Sequence, residues 1–263
     1  MKKIKQDYPL KYLRRLTSHT GRRKEGKFIL EGTRAVEEAL AADWPVEAIL
    51  YTRQTAGSER IQRILTKAKT RQVNLREISP VLCRRLADTE TPSGIMALVK
   101  RSDYQLKNIF RNQPSLLVLV DGIQDPGNLG TIIRSSDAAG AQGVIITKGT
   151  VDLYNPKVIR ATMGSFFHLP VVMVSTLEEL RDFMATFNLQ LVAGQQKVPK
   201  LINEVNLTLP TVLAVGNEAH GLSPEILNLA QHTVSIPMPG KAESLNAAIA
   251  VSIMLYETIR QRY

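Results

Sequence analysis

Three stretches of this sequence place glycine, proline and polar side chains directly after an apolar run, which is where a parallel sheet gathers a ligand. The first runs from Asp121 through Gly127-Asn128-Leu129-Gly130 to Arg134. Asn128 is expected to cap the helix that follows, with Gly140 as its stop. Leu129, Ile132, Ile133, Ser136 and Ala139 make the buried face of that helix and leave Arg134 on another side. Arg134 then has two readings: a surface pair with Asp137 at i+3, or a cation serving a site at the strand exit. The second stretch is Gly216-Asn217-Glu218-Ala219-His220-Gly221-Leu222-Ser223, with glycines that permit tight turns and a close ligand approach. Glu218 is either a solvated loop carboxylate or a site group, and no role is assigned to His220. The third stretch is Ile236-Pro237-Met238-Pro239-Gly240-Lys241, entering a helix at Ser244-Leu245-Asn246. Its Gly240-Lys241 lacks the spacing of a phosphate loop, and no Gly-x-Gly-x-x-Gly follows a strand. Apolar backbone around Ile236, Met238 and Leu245 suits a flat, partly apolar ligand such as an adenosine; ordinary core packing is the competing reading for Met238 and Leu245.

The elements around these stretches have the period of an α/β protein. Apolar runs expected as buried strands lie at residues 116–120, 143–147, 169–174, 189–193, 212–215 and 233–236. Helical segments separate them at 129–139, 156–163, 177–187, 224–229 and 244–260. Upstream, shorter strands are read at 28–30, 46–51, 73–78 and 94–99, with helices at 33–41, 59–70 and 80–86. The organisation is therefore a basic arm and small α/β domain over 1–100, a polar linker over 101–114, and a larger domain over 115–263 with a mostly parallel sheet.

Composition narrows the class. Apolar residues make up 44% of the 263 and charged residues 22%, which excludes disorder across the whole chain. No apolar run is long enough to cross a bilayer, and the lysine-rich start leads into no apolar segment, so a chain without a signal peptide is expected. Cys83 is the only cysteine; it fits a reducing cytoplasm and leaves no multi-cysteine metal site, so no metal is assigned. Residues 1–112 carry 24 Lys or Arg against 12 Asp or Glu, whereas the remainder carries 10 against 12. The whole excess of positive charge thus lies in the first part, with Arg22-Arg23-Lys24 among its densest runs. Such a split points to one part that meets a polyanion. Charge alone leaves RNA, DNA and an anionic membrane open.

In order and at the ends of strands, the three stretches resemble the signature motifs of the SpoU branch of the SPOUT RNA methyltransferases (the SpoU/TrmH type). The first supplies Asn128-x-Gly130-x-x-x-Arg134, the second Gly216-x-Glu218-x-x-Gly221, and the third Ile236-Pro237-Met238-x-Gly240 with Ser244-Leu245-Asn246-x-Ala248. The resemblance covers residues 116 to 260. It reaches upstream through Phe28-x-x-Glu31-Gly32 and Thr91-Pro92-x-Gly94-Ile95, which are similar to the family's substrate-binding domain and to small RNA-binding ribosomal proteins.

The resemblance implies a deep trefoil knot in the C-terminal domain, S-adenosylmethionine bound bent within it, and a homodimer whose interface lies near the catalytic arginine. It implies methyl transfer to a ribose 2′-oxygen of RNA. Arg134 would then act as a hydrogen-bonding cation that stabilises developing negative charge, since a guanidinium does not give up its proton. Glu218 would position Arg134 or a substrate hydroxyl, while Asn128, Ser244 and Asn246 hold the constellation. Gly216, Ile236, Met238 and Leu245 would hold the cofactor. The basic domain would grip RNA through Arg22 and Arg23, with Arg160 either touching RNA or serving the surface. A 100-residue N-terminal domain favours ribosomal RNA over transfer RNA. The alternatives are a tRNA 2′-O-methyltransferase and a catalytically silent RNA-binding protein of the same fold.

Overall fold

The structure is a computed structural model that describes residues 8–102, 104–106 and 115–263. The chain divides into two compact units: residues 1–102 with Tyr154–Pro156, and residues 103–153 with 157–263. Of the expected linker, Arg101 and Ser102 belong to the first unit and Leu106 is buried in the core of the second. Residues 103 and 107–114 lie outside the described residues, as does the arm before Tyr8.

The first unit is a four-stranded sheet in the order β1-β4-β2-β3, from β1 (Lys27–Glu31), β2 (Val46–Tyr51), β3 (Asn74–Glu77) and β4 (Ile95–Lys100). β4 runs antiparallel to both β1 and β2, while β2 and β3 are parallel. Alternation sends Ile29, Ala48, Leu50, Met96 and Leu98 to one face, where they pack with Leu13, Leu16, Cys83 and Leu86. That face is covered by α1 (Leu10–Arg15) and α5 (Pro80–Leu86), and α2 (His19–Glu25) packs beside α1 and β1. The other face receives α3 (Thr33–Ala41) and α4 (Glu59–Thr70), whose buried stripes are Val36, Ala39 and Leu40, and Ile61, Ile64, Leu65 and Ala68. The charged N-terminal segment is therefore two short helices, of which α1 buries Leu13 and α2 buries only Arg22, at 5% exposure.

The second unit is built on a six-stranded parallel sheet in the order β10-β8-β9-β5-β6-β7. The strands are β5 (Leu116–Asp121), β6 (Gly143–Ile146), β7 (Val171–Met173), β8 (Gln190–Gly194), β9 (Thr211–Gly216) and β10 (His232–Val234). Leu116 to Asp121 is buried throughout, as continuous apolar runs require in a parallel sheet covered on both faces. Between them come α6 (Pro126–Ala138), α7 (Pro156–Ala161), α8 (Leu177–Thr186) and α9 (Pro224–Leu229), and α10 (Ala247–Arg262) closes the chain. The chain steps outward through β5, β6 and β7, then returns to the other side, with β9 inserted against β5. The reversal makes the β5–β9 pair the switch point of the sheet, where an open α/β sheet leaves a crevice for a ligand.

Two helix starts differ from the sequence reading. Asp125, not Asn128, caps α6: its carboxylate accepts from the Asn128 N–H, and Pro126 occupies the first helical turn. α10 begins at Ala247 with Asn246 as its cap, so Ser244 and Leu245 stand outside the helix. Asn128 and Asn246 have side chains that face the loops, and this decides what they do.

Candidate active site

β5 and β9 are in register with Asp121 opposite Gly216, so the first two polar loops leave the sheet side by side. Asp121 locks them: its two carboxylate oxygens accept from Thr147 Oγ1 at 2.6 Å and from the Ser223 N–H at 2.7 Å. The second loop closes on itself. Asn217 Oδ1 accepts from the Ala219 and His220 N–H groups, its Nδ2 donates to the Gly122 carbonyl at 2.9 Å, and the Gly221 N–H donates to the Asn217 carbonyl at 2.8 Å. That closure needs glycine at 216, where a Cβ would lie 2.2 Å from the Gly221 carbonyl carbon and oxygen.

A chain of hydrogen bonds joins all three loops. Asn246 Oδ1 accepts from the Ala248 and Ile249 N–H groups at the start of α10. Its Nδ2 donates to Asn128 Oδ1 at 2.9 Å, and Asn128 Nδ2 donates to Glu218 Oε1 at 2.5 Å. A helix start offers only donors and an ionised carboxylate only accepts, so the two amides between them have one satisfied orientation each. The line ends on Glu218, which is exposed and keeps acceptor capacity for a substrate hydroxyl or a cation.

Beside Glu218 a cavity of about 710 Å3 opens between the second and third loops. Gly216, Ile236, Met238 and Leu245 all line it, together with Glu218 and His220. Its floor is apolar at Val215, Leu222 and Met254, while Gly194, Gly216 and Gly221 bare their backbone to it. A volume within the range of small-molecule sites, apolar walls and open backbone hydrogen-bonding groups fit an adenosine with a polar tail. Among the described residues, no three of His, Cys, Asp and Glu come together as metal ligands.

The other expected site residues are placed as follows. Arg134 lies on the exposed side of α6 with no hydrogen bond among the described residues; Asp137 does not pair with it. Ser244 is exposed and lies off the cavity lining. Arg160 lies in the last turn of α7, half-buried. Arg23 is exposed on α2, whereas Arg22, expected to face RNA, donates to the Thr17 carbonyl at 2.8 Å inside the first unit. The sequence reading missed the segment Gly194-Gln195-Gln196-Lys197, which forms one wall of the cavity. Half of its signal lies in the sequence, a glycine and three polar residues after the apolar run of β8; that β8 lies next to β9 is seen only in the sheet.

Comparison with known proteins bears on this arrangement. Residues 115–256 match the model of the SpoU rRNA Methylase family, over half of the chain. The chain belongs to the SpoU rRNA methylase family. Residues 8–97 match an MRM3-like substrate binding domain, so the first unit also has relatives in this family's architecture. The chain is 36% identical to the 23S rRNA (uridine(2479)-2'-O)-methyltransferase of Streptomyces viridochromogenes, over 94% of this chain and 87% of that one. It is 33% identical to the 23S rRNA (guanosine(2553)-2'-O)-methyltransferase RlmP of Bacillus subtilis, over 97% and 98% of the two chains. The crystal structure of the SpoU methyltransferase AviRb from Streptomyces viridochromogenes, in complex with AdoMet, superposes with a TM-score of 0.89 at 34% identity, covering 98% of each chain. All three loops lie within the matched residues 115–256.

Proposed function

We propose that this SpoU protein transfers a methyl group from S-adenosylmethionine to a ribose 2′-hydroxyl of ribosomal RNA. The observation that carries this reading is the Asn246–Asn128–Glu218 line at the mouth of the cavity, which joins the three family loops. S-adenosylmethionine supplies an activated methyl group that needs no metal and no covalent enzyme intermediate. The protein has to hold the ribose oxygen in line and favour the negative charge that develops on it. Glu218, oriented by Asn128, accepts a hydrogen bond from the ribose or fixes the guanidinium of Arg134. Arg134 keeps its proton and stabilises the developing alkoxide, while the hydroxyl proton passes to water or to an RNA phosphate. Gly216, Ile236, Met238 and Leu245 hold the adenosine.

The reading includes a homodimer and the trefoil knot expected of this fold. Ile249, Ile253 and Tyr256 lie on the exposed side of α10, opposite its buried stripe of Val251, Met254 and Leu255, at 50%, 36% and 67% exposure. An apolar stripe at i, i+4 and i+7 suits a second copy of the chain. α6 lies alongside α10 through the Ser252–Ser135 hydrogen bond, so Arg134 stands near that stripe and reaches its place in the site across the dimer. No helix among the described residues is long and apolar enough to cross a membrane, and we place the protein in the cytoplasm with the ribosome.

The test is transfer of labelled methyl to RNA from cells lacking the gene, with the product digested to nucleosides. Wild-type protein yields a 2′-O-methylnucleoside in ribosomal RNA and Arg134→Ala yields none. Cofactor binding without transfer to any ribosomal RNA would overturn the reading in favour of an RNA-binding protein.

A further inference from the structure

The first unit presents two very different faces. α1 and α5, which cover one side of its sheet, and α2 beside α1 carry eight Lys or Arg and a single carboxylate, Glu25. α3 and α4, which cover the other, carry five against three, and Arg60 is tied to Glu37 at 2.6 Å. On the first face Lys11, Arg14, Arg23, Lys24, Arg84 and Arg85 are all exposed, and no described carboxylate pairs with them. A cation in the last turn of a helix is favoured by the helix dipole. That preference covers five of the six, not Lys11, and does not account for their gathering on one face.

The helices that carry these cations are joined by a corner with little freedom. At Gly21 the two backbones meet, for a Cβ there would sit 1.8 Å from the Arg15 carbonyl oxygen. The carbonyls at the end of α1 are taken up locally: Thr17 Oγ1 donates to Arg14 at 2.9 Å, Ser18 Oγ donates to Arg15 at 2.9 Å, and the buried Arg22 Nη1 donates to Thr17 at 2.8 Å. Arg22 is the internal brace of the corner, and its neighbours in sequence point outward from a fixed frame. The backbone that carries these cations is fixed before a partner arrives, so binding orders only their side chains. Large aromatic groups are not offered there, since Tyr8 is buried and stacked on the half-buried Tyr12, which leaves His19 as the exposed ring. Exposed cations on a fixed backbone, without an exposed Phe, Tyr or Trp, suit a phosphate backbone better than splayed bases.

We infer that the α1–α2–α5 face is the surface that grips the phosphate backbone of the substrate RNA, with Arg14, Arg23 and Lys24 as its centre. The inference rests on the proposed function and adds the surface through which the first unit serves it.

Binding of in vitro transcribed 23S rRNA, measured as a function of salt, tests it. Each phosphate contact contributes close to one unit to the slope of log affinity against log salt. The triple variant Arg14→Gln/Arg23→Gln/Lys24→Gln is expected to lower that slope by about two to three and to weaken binding at least about tenfold at low salt. A matched variant on α4, Arg63→Gln/Lys67→Gln/Lys69→Gln, keeps the wild-type slope, and both bind S-adenosylhomocysteine like wild type. Wild-type slope in the corner variant, or an equal loss in both variants, overturns the assignment of this face while leaving the RNA reading intact. Wild-type protein without measurable affinity for the rRNA overturns both.

Discussion

Replacing Asn128 by aspartate exchanges an amide for a carboxylate and changes almost no volume, so it asks whether the amide's direction matters. In the native site Asn128 Nδ2 donates to Glu218 and Oδ1 accepts from Asn246. The introduced carboxylate would keep the acceptor role and bring a second negative charge against Glu218. Two unit charges about 3 Å apart repel by about 1.4 kcal/mol at the dielectric of water, the lower bound that suits so exposed a pair. The lost hydrogen bond to a charged acceptor adds about 1.5 kcal/mol. Together these amount to about 3 kcal/mol, or roughly a hundredfold in rate. Asn128→Ala loses the bond without the repulsion, and should cost only about tenfold. Methyl transfer at saturating cofactor and RNA measures both, and S-adenosylhomocysteine titration serves as control, because Asn128 does not line the cavity. Two carboxylates in contact raise the pKa at which the pair takes up a proton. Asn128→Asp should therefore recover relative to wild type as pH falls towards about 5.5. An alanine variant as impaired as the aspartate variant, with no recovery at low pH, would refute the oriented-line argument.

Other expectations follow from the same geometry. Gly216→Ala drives a Cβ into the Gly221 backbone, which cannot move without opening the loop; the melting temperature should fall by several degrees and cofactor affinity at least about tenfold, and unchanged affinity by calorimetry would contradict this. The double variant Ile249→Lys/Ile253→Lys should sediment as a folded monomer without transferase activity, and a dimer of unchanged mass would remove α10 from the interface. Burial, and then the charge of Lys200, hold the imidazole pKa of His232 below its ordinary value. The unfolded chain then takes up the proton more readily below about pH 6.5. The stability this group contributes is present above that pH and is lost as pH falls below it. In His232→Gln the decline of melting temperature between about pH 7.5 and 5.5 should be shallower, and an identical decline would speak against this account.

Much of the site was legible in the sequence because its loops follow apolar runs that only a buried parallel strand explains. The local pattern points Ile236, Met238 and Leu245 at a ligand and the resemblance adds Gly216; all four line the cavity. The cap of α6 lies three residues before the expected Asn128, although Asp125-Pro126 has the same form as Ser223-Pro224 at the start of α9. Asn128, freed from capping, became the middle member of the hydrogen-bonded line. Arg22 could not be read from its neighbours, since a cation flanked by cations looks solvated until the close approach at Gly21 is known. Nor could strand order be read: whether β9 lies beside β8, β5 or both is decided by crossovers of the chain, and local pattern does not encode them. The wall at Gly194–Lys197 was missed for that reason, because it borders the ligand only through the β8–β9 pairing.

The position of β9 also sets a timetable. During synthesis β5 emerges with β6 ready to pair on one side, but its other neighbour begins only at Thr211. For the length of chain between Asp121 and Thr211, one edge of the most buried strand has no native partner, and β8 has none at all until β9 arrives between them. Pairings so distant in sequence form slowly, and an apolar open edge invites wrong partners in the meantime. The crevice therefore forms late: β9 brings Glu218 to it, and its remaining wall from Ile236 to Leu245 follows only after β10. A ribosome making this protein must release most of the chain before any of it can bind the cofactor.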